Sequence, residues 1–138
     1  MLARYAVAYL ATGLAFAAID ALWLSKMGPG FYRPQLGEMM LARPRFDAAI
    51  AFYLVYIAGI VFFAVAPAFA HGGTGLKTAA LYGAVLGFLC YATYDLTNRA
   101  TLTNWPWKLV LVDMAWGTFL TGAAATAGYL VTRALVRT

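Results

Sequence analysis

Three aspartates interrupt the apolar runs of this chain: Asp20 in "IDALWL" (19–24), Asp95 in "YATYDLTN" (91–98) and Asp113 in "DMAWGTFL" (113–120). Carboxylates in such places can pair with a cation, hold a hard divalent metal, or pass protons as general acid and base. Trp23 and Trp116 each follow an aspartate by three positions, so on a helix each shares its aspartate's face. Tyr91, Asp95 and Asn98 share another face by i, i+4, i+7 spacing. Aromatic rings beside carboxylates are what a cationic ligand needs, through charge pairing and cation–π contact with Trp23, Trp116 or Tyr94. Thr97 and Asn98 would add hydrogen bonds or oxygen ligands. The expected ligand-binding set is therefore Asp20, Trp23, Tyr94, Asp95, Thr97, Asn98, Asp113 and Trp116, with no residue singled out as catalytic or as a metal ligand.

The elements that position these residues follow from composition. The chain has 138 residues, 64% of them hydrophobic and 11% charged, so one domain spanning 1–138 is expected with the bilayer as its solvent. Four stretches are long enough to cross: about Leu2–Leu24, Ala48–Ala70, Thr78–Thr97 and Lys108–Val131. Backbone groups in hydrocarbon must bond within their own segment, which makes each a helix and the fold an all-α, integral membrane four-helix bundle with both termini on one side. Arg4, an apolar body and "AFA" at 15–17 also fit a secretory leader, but cleavage there would detach a helix ending in "IDALWL"; the segment is read as a membrane helix.

Between the first two crossings, "GPG" at 28–30 is expected to break the first helix sharply. Leu36, Met39 and Met40 then follow i, i+3, i+4 spacing, so the link from Pro34 to Pro44 is expected to hold a short interfacial helix, either a lid or a plain connector. "AHGGTGLK" at 70–77 reads as a tight glycine-rich turn. Small residues recur at spacing four: Gly13 and Ala17, Gly83 and Gly87, Thr118 and Gly122, Ala123 and Ala127. Such residues let helices approach closely where dispersion, not water exclusion, drives association.

Charge narrows the function classes. The net charge is +5, yet the ten basic residues are scattered singly and no basic run could track a phosphate backbone, so no nucleic-acid partner is expected. With Cys90 the only cysteine and His71 the only histidine, an internal disulfide, a cysteine-cluster metal site, a bis-histidine haem and a His-Glu-x-x-His protease are excluded. All the acidic residues fall on the side of the 25–46 and 98–107 links, with Lys26, Arg33, Arg43, Arg45, Arg99 and Lys108. Arg4, Lys77, Arg133 and Arg137 lie opposite, and the basic excess leans toward a cytoplasmic link side.

Asp20, Asp95 and Asp113 lie at similar depth on that side. Each carboxylate in hydrocarbon costs about 2.5–3.5 kcal/mol on insertion scales unless paired, hydrated or protonated. Like charges sharing such a site cannot all ionise cheaply, so a proton or a cation is expected to neutralise them; a divalent cation is the one cofactor the site would suit. The alternative is structural, with each aspartate accepting hydrogen bonds from Tyr94, Trp23, Trp116, Thr97 or Asn98. Asp47 reads as an N-terminal cap or dipole partner. Trp105 and Trp107 read as interfacial anchors around Pro106 in a first helical turn capped by Asn104.

These motifs, with "FY" at 31–32, "QLG" at 35–37, "AFYLVYIAG" at 51–59 and "YATYDLTNRATLTNWP" at 91–106, resemble the bacterial predicted-membrane-protein family called domain of unknown function 2177. The resemblance covers essentially the whole chain. It implies a four-helix protein of the bacterial inner membrane and brings no activity, ligand or catalytic residue with it. Three functions follow from the residues. One is a ligand-binding or transport protein receiving a cation, an amine or a polar lipid headgroup. Another is a membrane-embedded lipid-modifying enzyme using the same carboxylates. The third is a non-catalytic membrane subunit. Membrane lipid and a small polar or cationic ligand are the expected partners, and an oligomer is compatible with each.

Overall fold

The computed structural model describes residues 1–70 and 74–136. The chain runs through α1 (Leu2–Met27), a π-helical turn (Gly28–Tyr32), α2 (Arg33–Leu36), a 3-10 turn (Gly37–Met39), α3 (Phe46–Ile60), a second π segment (Val61–Val65), α4 (Ala66–Ala70), α5 (Gly75–Thr101) and α6 (Trp107–Leu135). Four helical stretches among the described residues are long and apolar enough to span a bilayer: Leu2–Met39, Phe46–Ala70, Gly75–Thr101 and Trp107–Leu135. The protein is an all-α integral membrane bundle, and an even number of crossings returns the C-terminus to the side of the N-terminus. Of the glycine-rich turn, residues 71–73 lie outside the described residues, as does Arg137.

Each helix commits a different share of its surface to its neighbours. In α1 the buried residues are Ala8, Thr12, Phe16 and Asp20, a single seam at spacing four, while Leu10, Leu14 and Leu22 face outward. Over an apolar window of 18 residues, half of α6 is buried against 22% of the first span, so α6 is the central helix, packed against both α1 and α5. Its small residues make this centrality feasible. A Cβ on Gly83 would sit 2.7 Å from Ala125 Cβ, and one on Gly87 would sit 2.7 Å from Thr121 Cβ and press on the Gly117 carbonyl. Gly122 is buried against Ala80 and Ala84 as expected, whereas Thr118 is half-buried and turns its hydroxyl back to the Met114 carbonyl. Ala124, Ala125 and Gly128 supply more of the contact than the half-buried Ala123 and Ala127.

The first departure from expectation is at "GPG". The helix does not break there; it widens into a π turn and continues to Met39. Pro29 lacks an N–H and its ring would clash with the carbonyl one turn back, and an i→i+5 turn makes room for it without ending the helix. Pro67 is likewise preceded by the π segment Val61–Val65. Of the interfacial helix expected between Pro34 and Pro44, the chain forms the four residues of α2 and one 3-10 turn, both continuous with α1, while residues 40–45 are non-helical. Gly37, at φ 59°, ends α2 in a conformation that only glycine adopts without strain.

Of the two capping expectations, Asp47 keeps its reading as a dipole partner and Asn104 loses its reading as a cap. α3 starts at Phe46 with Arg45 as its N-cap, so Asp47 sits in the first turn; its carboxylate accepts the Ala48 N–H and faces the positive end of the helix dipole. α6 starts at Trp107 after Pro106, with no side-chain cap. Asn104 instead donates to the Gln35 carbonyl at 3.2 Å, fastening the α5–α6 loop to the link that follows α1.

Candidate functional site

The end of α1, the start of α3, the end of α5 and the start of α6 lie together on the link side of the bundle. There the helices enclose a cavity of about 640 Å³. Five of the eight residues expected to bind a ligand line it: Asp20, Trp23, Tyr94, Asp113 and Trp116. Asp95 lies fully buried just behind the wall, with Asp113 as its acidic neighbour. Thr97 is not brought to the cavity; it is exposed and its hydroxyl donates to the Thr93 and Tyr94 carbonyls of its own helix. Asn98 is half-buried beside Tyr94, away from the lining.

The repeated Asp-x-x-Trp pattern has a geometric reason. α1 and α6 run antiparallel, and the indoles of Trp23 and Trp116 stack face to face with centroids 4.0 Å apart and planes 5° from parallel. Each tryptophan then serves the aspartate of the other helix. Trp116 N–H donates to Asp20 Oδ1 at 3.2 Å. Trp23 N–H donates to the Tyr32 hydroxyl at 3.1 Å, and that hydroxyl donates to Asp113 Oδ1 at 2.5 Å. Tyr53 completes the set by donating its hydroxyl to Asp20 Oδ2. Asp20 and Asp113 thus each take one tyrosine hydroxyl and one indole, directly or through the tyrosine.

Asp95 is held differently. Trp105 N–H donates to its Oδ1 at 3.3 Å, while no N–H or O–H donor among the described residues reaches its buried Oδ2, and the Asp113 carboxyl lies within hydrogen-bonding range of the group. The donors reaching all three carboxyls are neutral tyrosine hydroxyls and indole N–H groups. Among the described residues no three His, Cys, Asp or Glu side chains are grouped to hold a metal ion.

Trp105 was expected to be an interfacial anchor alongside Trp107. Trp107 fits, at 53% exposed with Arg99 over its ring at 5.2 Å, but Trp105 is 7% exposed and packs with Leu109 and Val110 beneath Phe31, Tyr32 and Leu36. Both flank Pro106, and spacing alone does not distinguish the inward ring from the outward one. Tyr94 is an expected member of the site, whereas Tyr32, Tyr53 and Tyr56 are not singled out by the sequence reading although they stand in its motifs: Tyr32 is in "FY", and Tyr53 and Tyr56 are one turn apart in "AFYLVYIAG". Tyr56 and Tyr91 line the cavity, and Tyr56 hydrogen-bonds Thr121 at 2.8 Å across to α6. A periodic tyrosine in an apolar helix reads as core until a facing carboxylate is located.

The link roofs the cavity. Leu36 and Met40 line it from above, and Arg33 donates to the Leu41 carbonyl at 2.9 Å, folding the non-helical stretch back on α2. Tyr32, hydrogen-bonded to Asp113, ties this roof to α6.

Neither the curated proteins nor the solved structures searched give a match to the chain. The profile of the predicted-membrane-protein family DUF2177 matches residues 5–130, taking in all three aspartates, the stacked tryptophans and the roof, and the chain belongs to that family.

Proposed function

We propose that the link-side cavity is a binding site for a cation, an amine or a polar lipid headgroup, in a binding or transport protein of the bacterial plasma (inner) membrane. The observation that carries this reading is the carboxyl set: buried acids reached, among the described residues, by neutral donors, with Asp95 beside Asp113 and two of the acids on the wall of an aromatic cavity. A buried acid cluster without a basic partner gains most from a positively charged guest, and the faces of Trp23, Trp116 and Tyr94 favour the same guest. The volume falls within the range of small-molecule sites, roughly 300–1,000 Å³. Its position at one end of the bundle suits a site served from one side better than a midplane transport site.

The test is unbiased mass spectrometry of lipids and small molecules that co-purify with the wild type and with Asp95→Asn. An amine or amine-headed lipid present with the wild type and depleted with a folded variant supports the reading. Identical inventories from two folded proteins overturn it.

The adjacency of Asp95 and Asp113 favours a second reading, in which the pair performs acid–base chemistry on a lipid. That reading requires a conversion in a labelled lipid extract that is lost in both Asp95→Asn and Asp113→Asn.

A further inference from the structure

The cavity is roofed toward water, but its side wall is incomplete. α3 leans on α1 through Tyr53 and Tyr56, whose rings pack edge-on against Phe16 at 5.2 and 5.5 Å, and its main contact with α5 begins only at the π segment Val61–Val65. Between the first half of α3 and the second half of α5 the cavity is bordered by Phe52 on one helix and by Cys90 and Tyr94 on the other, all exposed. Tyr56, buried and stacked under Phe52 at 5.1 Å, forms the floor of this gap.

The gap sits at hydrocarbon depth. Cys90 precedes the end of α5 at Thr101 by eleven residues, or roughly 16 Å along the helix axis at 1.5 Å per residue, which sets it inside the apolar span and away from the polar end of the helix. At that depth the neighbouring phase is acyl chain. A guest entering here must carry an apolar segment through the gap while its head reaches Asp113 and Tyr32.

Resting on the binding reading above, we infer that the ligand is a membrane-dissolved amphiphile with a cationic amine head and an alkyl or acyl chain, which enters sideways between α3 and α5 with its chain left lying along Phe52 and Cys90. The link lies over the end of the cavity while Phe52, Cys90 and Tyr94 are exposed along its flank, which favours this route. Head and chain are recognised by different parts of one cavity, the acids with the tryptophan pair and the α3–α5 gap.

Cys90, the only cysteine, makes the route measurable. A nitroxide attached to Cys90 in phosphatidylethanolamine–phosphatidylglycerol vesicles should collide more with dissolved oxygen than with a water-soluble nickel chelate. Dodecylamine should immobilise the label, butylamine at the same concentration should not, and Asp113→Asn should remove the dodecylamine effect while leaving the oxygen preference intact. Because the label occupies part of the gap, native mass spectrometry of unlabelled protein is the second readout, with dodecylamine retained at least tenfold more tightly than butylamine in the wild type. Preferential collision with the nickel chelate, or equal action of the two amines, overturns lateral entry while leaving the binding reading intact. No effect of either amine on labelled or unlabelled wild type overturns the binding reading and this inference with it.

Discussion

Along the α5–α6 interface the packing changes character at Gly117. On the side of the termini, Gly83 and Gly87 meet Thr121, Gly122 and Ala125 with backbone nearly touching backbone. On the link side, Tyr91, Tyr94 and Asp95 face Asp113 and Trp116 around an open cavity. Gly117 is the transition, since any side chain there would run into the Tyr91 ring. In lipid there is no water-exclusion drive between helices, so dispersion at close range must hold the bundle together. The small-residue half provides that contact, which leaves the aromatic half free to stay open and to hold acids whose donors among the described residues are neutral.

Substitutions that exchange the character of the two halves should rank accordingly. The largest effect is expected from Gly87→Leu, where Thr121 and the Gly117 backbone have nowhere to go; about 3 kcal/mol of stability should be lost, seen as a large drop in unfolding midpoint in detergent. Gly122→Leu should cost less, because the nearest atoms to its added Cβ lie at 3.3–3.4 Å. If Gly87→Leu is tolerated, the tight half is not what holds the bundle.

Within the open half the aspartates should separate. Asp20 accepts from both Tyr53 and Trp116, so Asp20→Asn sets an amide N–H₂ where a donor already points and should cost about 1–2 kcal/mol. Asp95→Asn keeps an oxygen for Trp105 and turns the amide toward Asp113, so stability should hold or rise by about 1 kcal/mol while ligand retention falls. Thermal unfolding of the two variants, with and without a divalent cation, measures the difference. Equal, cation-insensitive destabilisation would mean that the acids are structural.

Smaller effects concern the roof. Tyr32→Phe removes one hydroxyl that both donates to Asp113 and accepts from Trp23, and should raise amide hydrogen exchange across residues 30–41 at a global cost of about 1 kcal/mol. Asp47→Asn, outside both halves, should cost only about 0.3–1 kcal/mol through the α3 dipole, and a larger loss would give it a tertiary partner.

The helices and their approximate bounds were legible in the sequence because burial in lipid is a property of composition and length, and each segment carries it alone. The same holds for the shared depth of Asp20, Asp95 and Asp113, and for the closely packed Gly83, Gly87 and Gly122, whose lack of side chain has one use between helices. What the tertiary structure decided is everything that depends on which residue faces which across helices. It turned Trp105 inward and Trp107 outward, sent Trp116 to Asp20 rather than to its neighbour Asp113, and brought Tyr32 and Tyr53 to the acids from segments whose periodicity reads as packing. It carried the first helix through "GPG", because a π turn relieves Pro29 and the roof contacts hold the extension in place. Hydropathy fixes depth along the membrane normal, but rotation about a helix axis is set by the neighbours that a helix packs against, and a single chain read in order does not contain them.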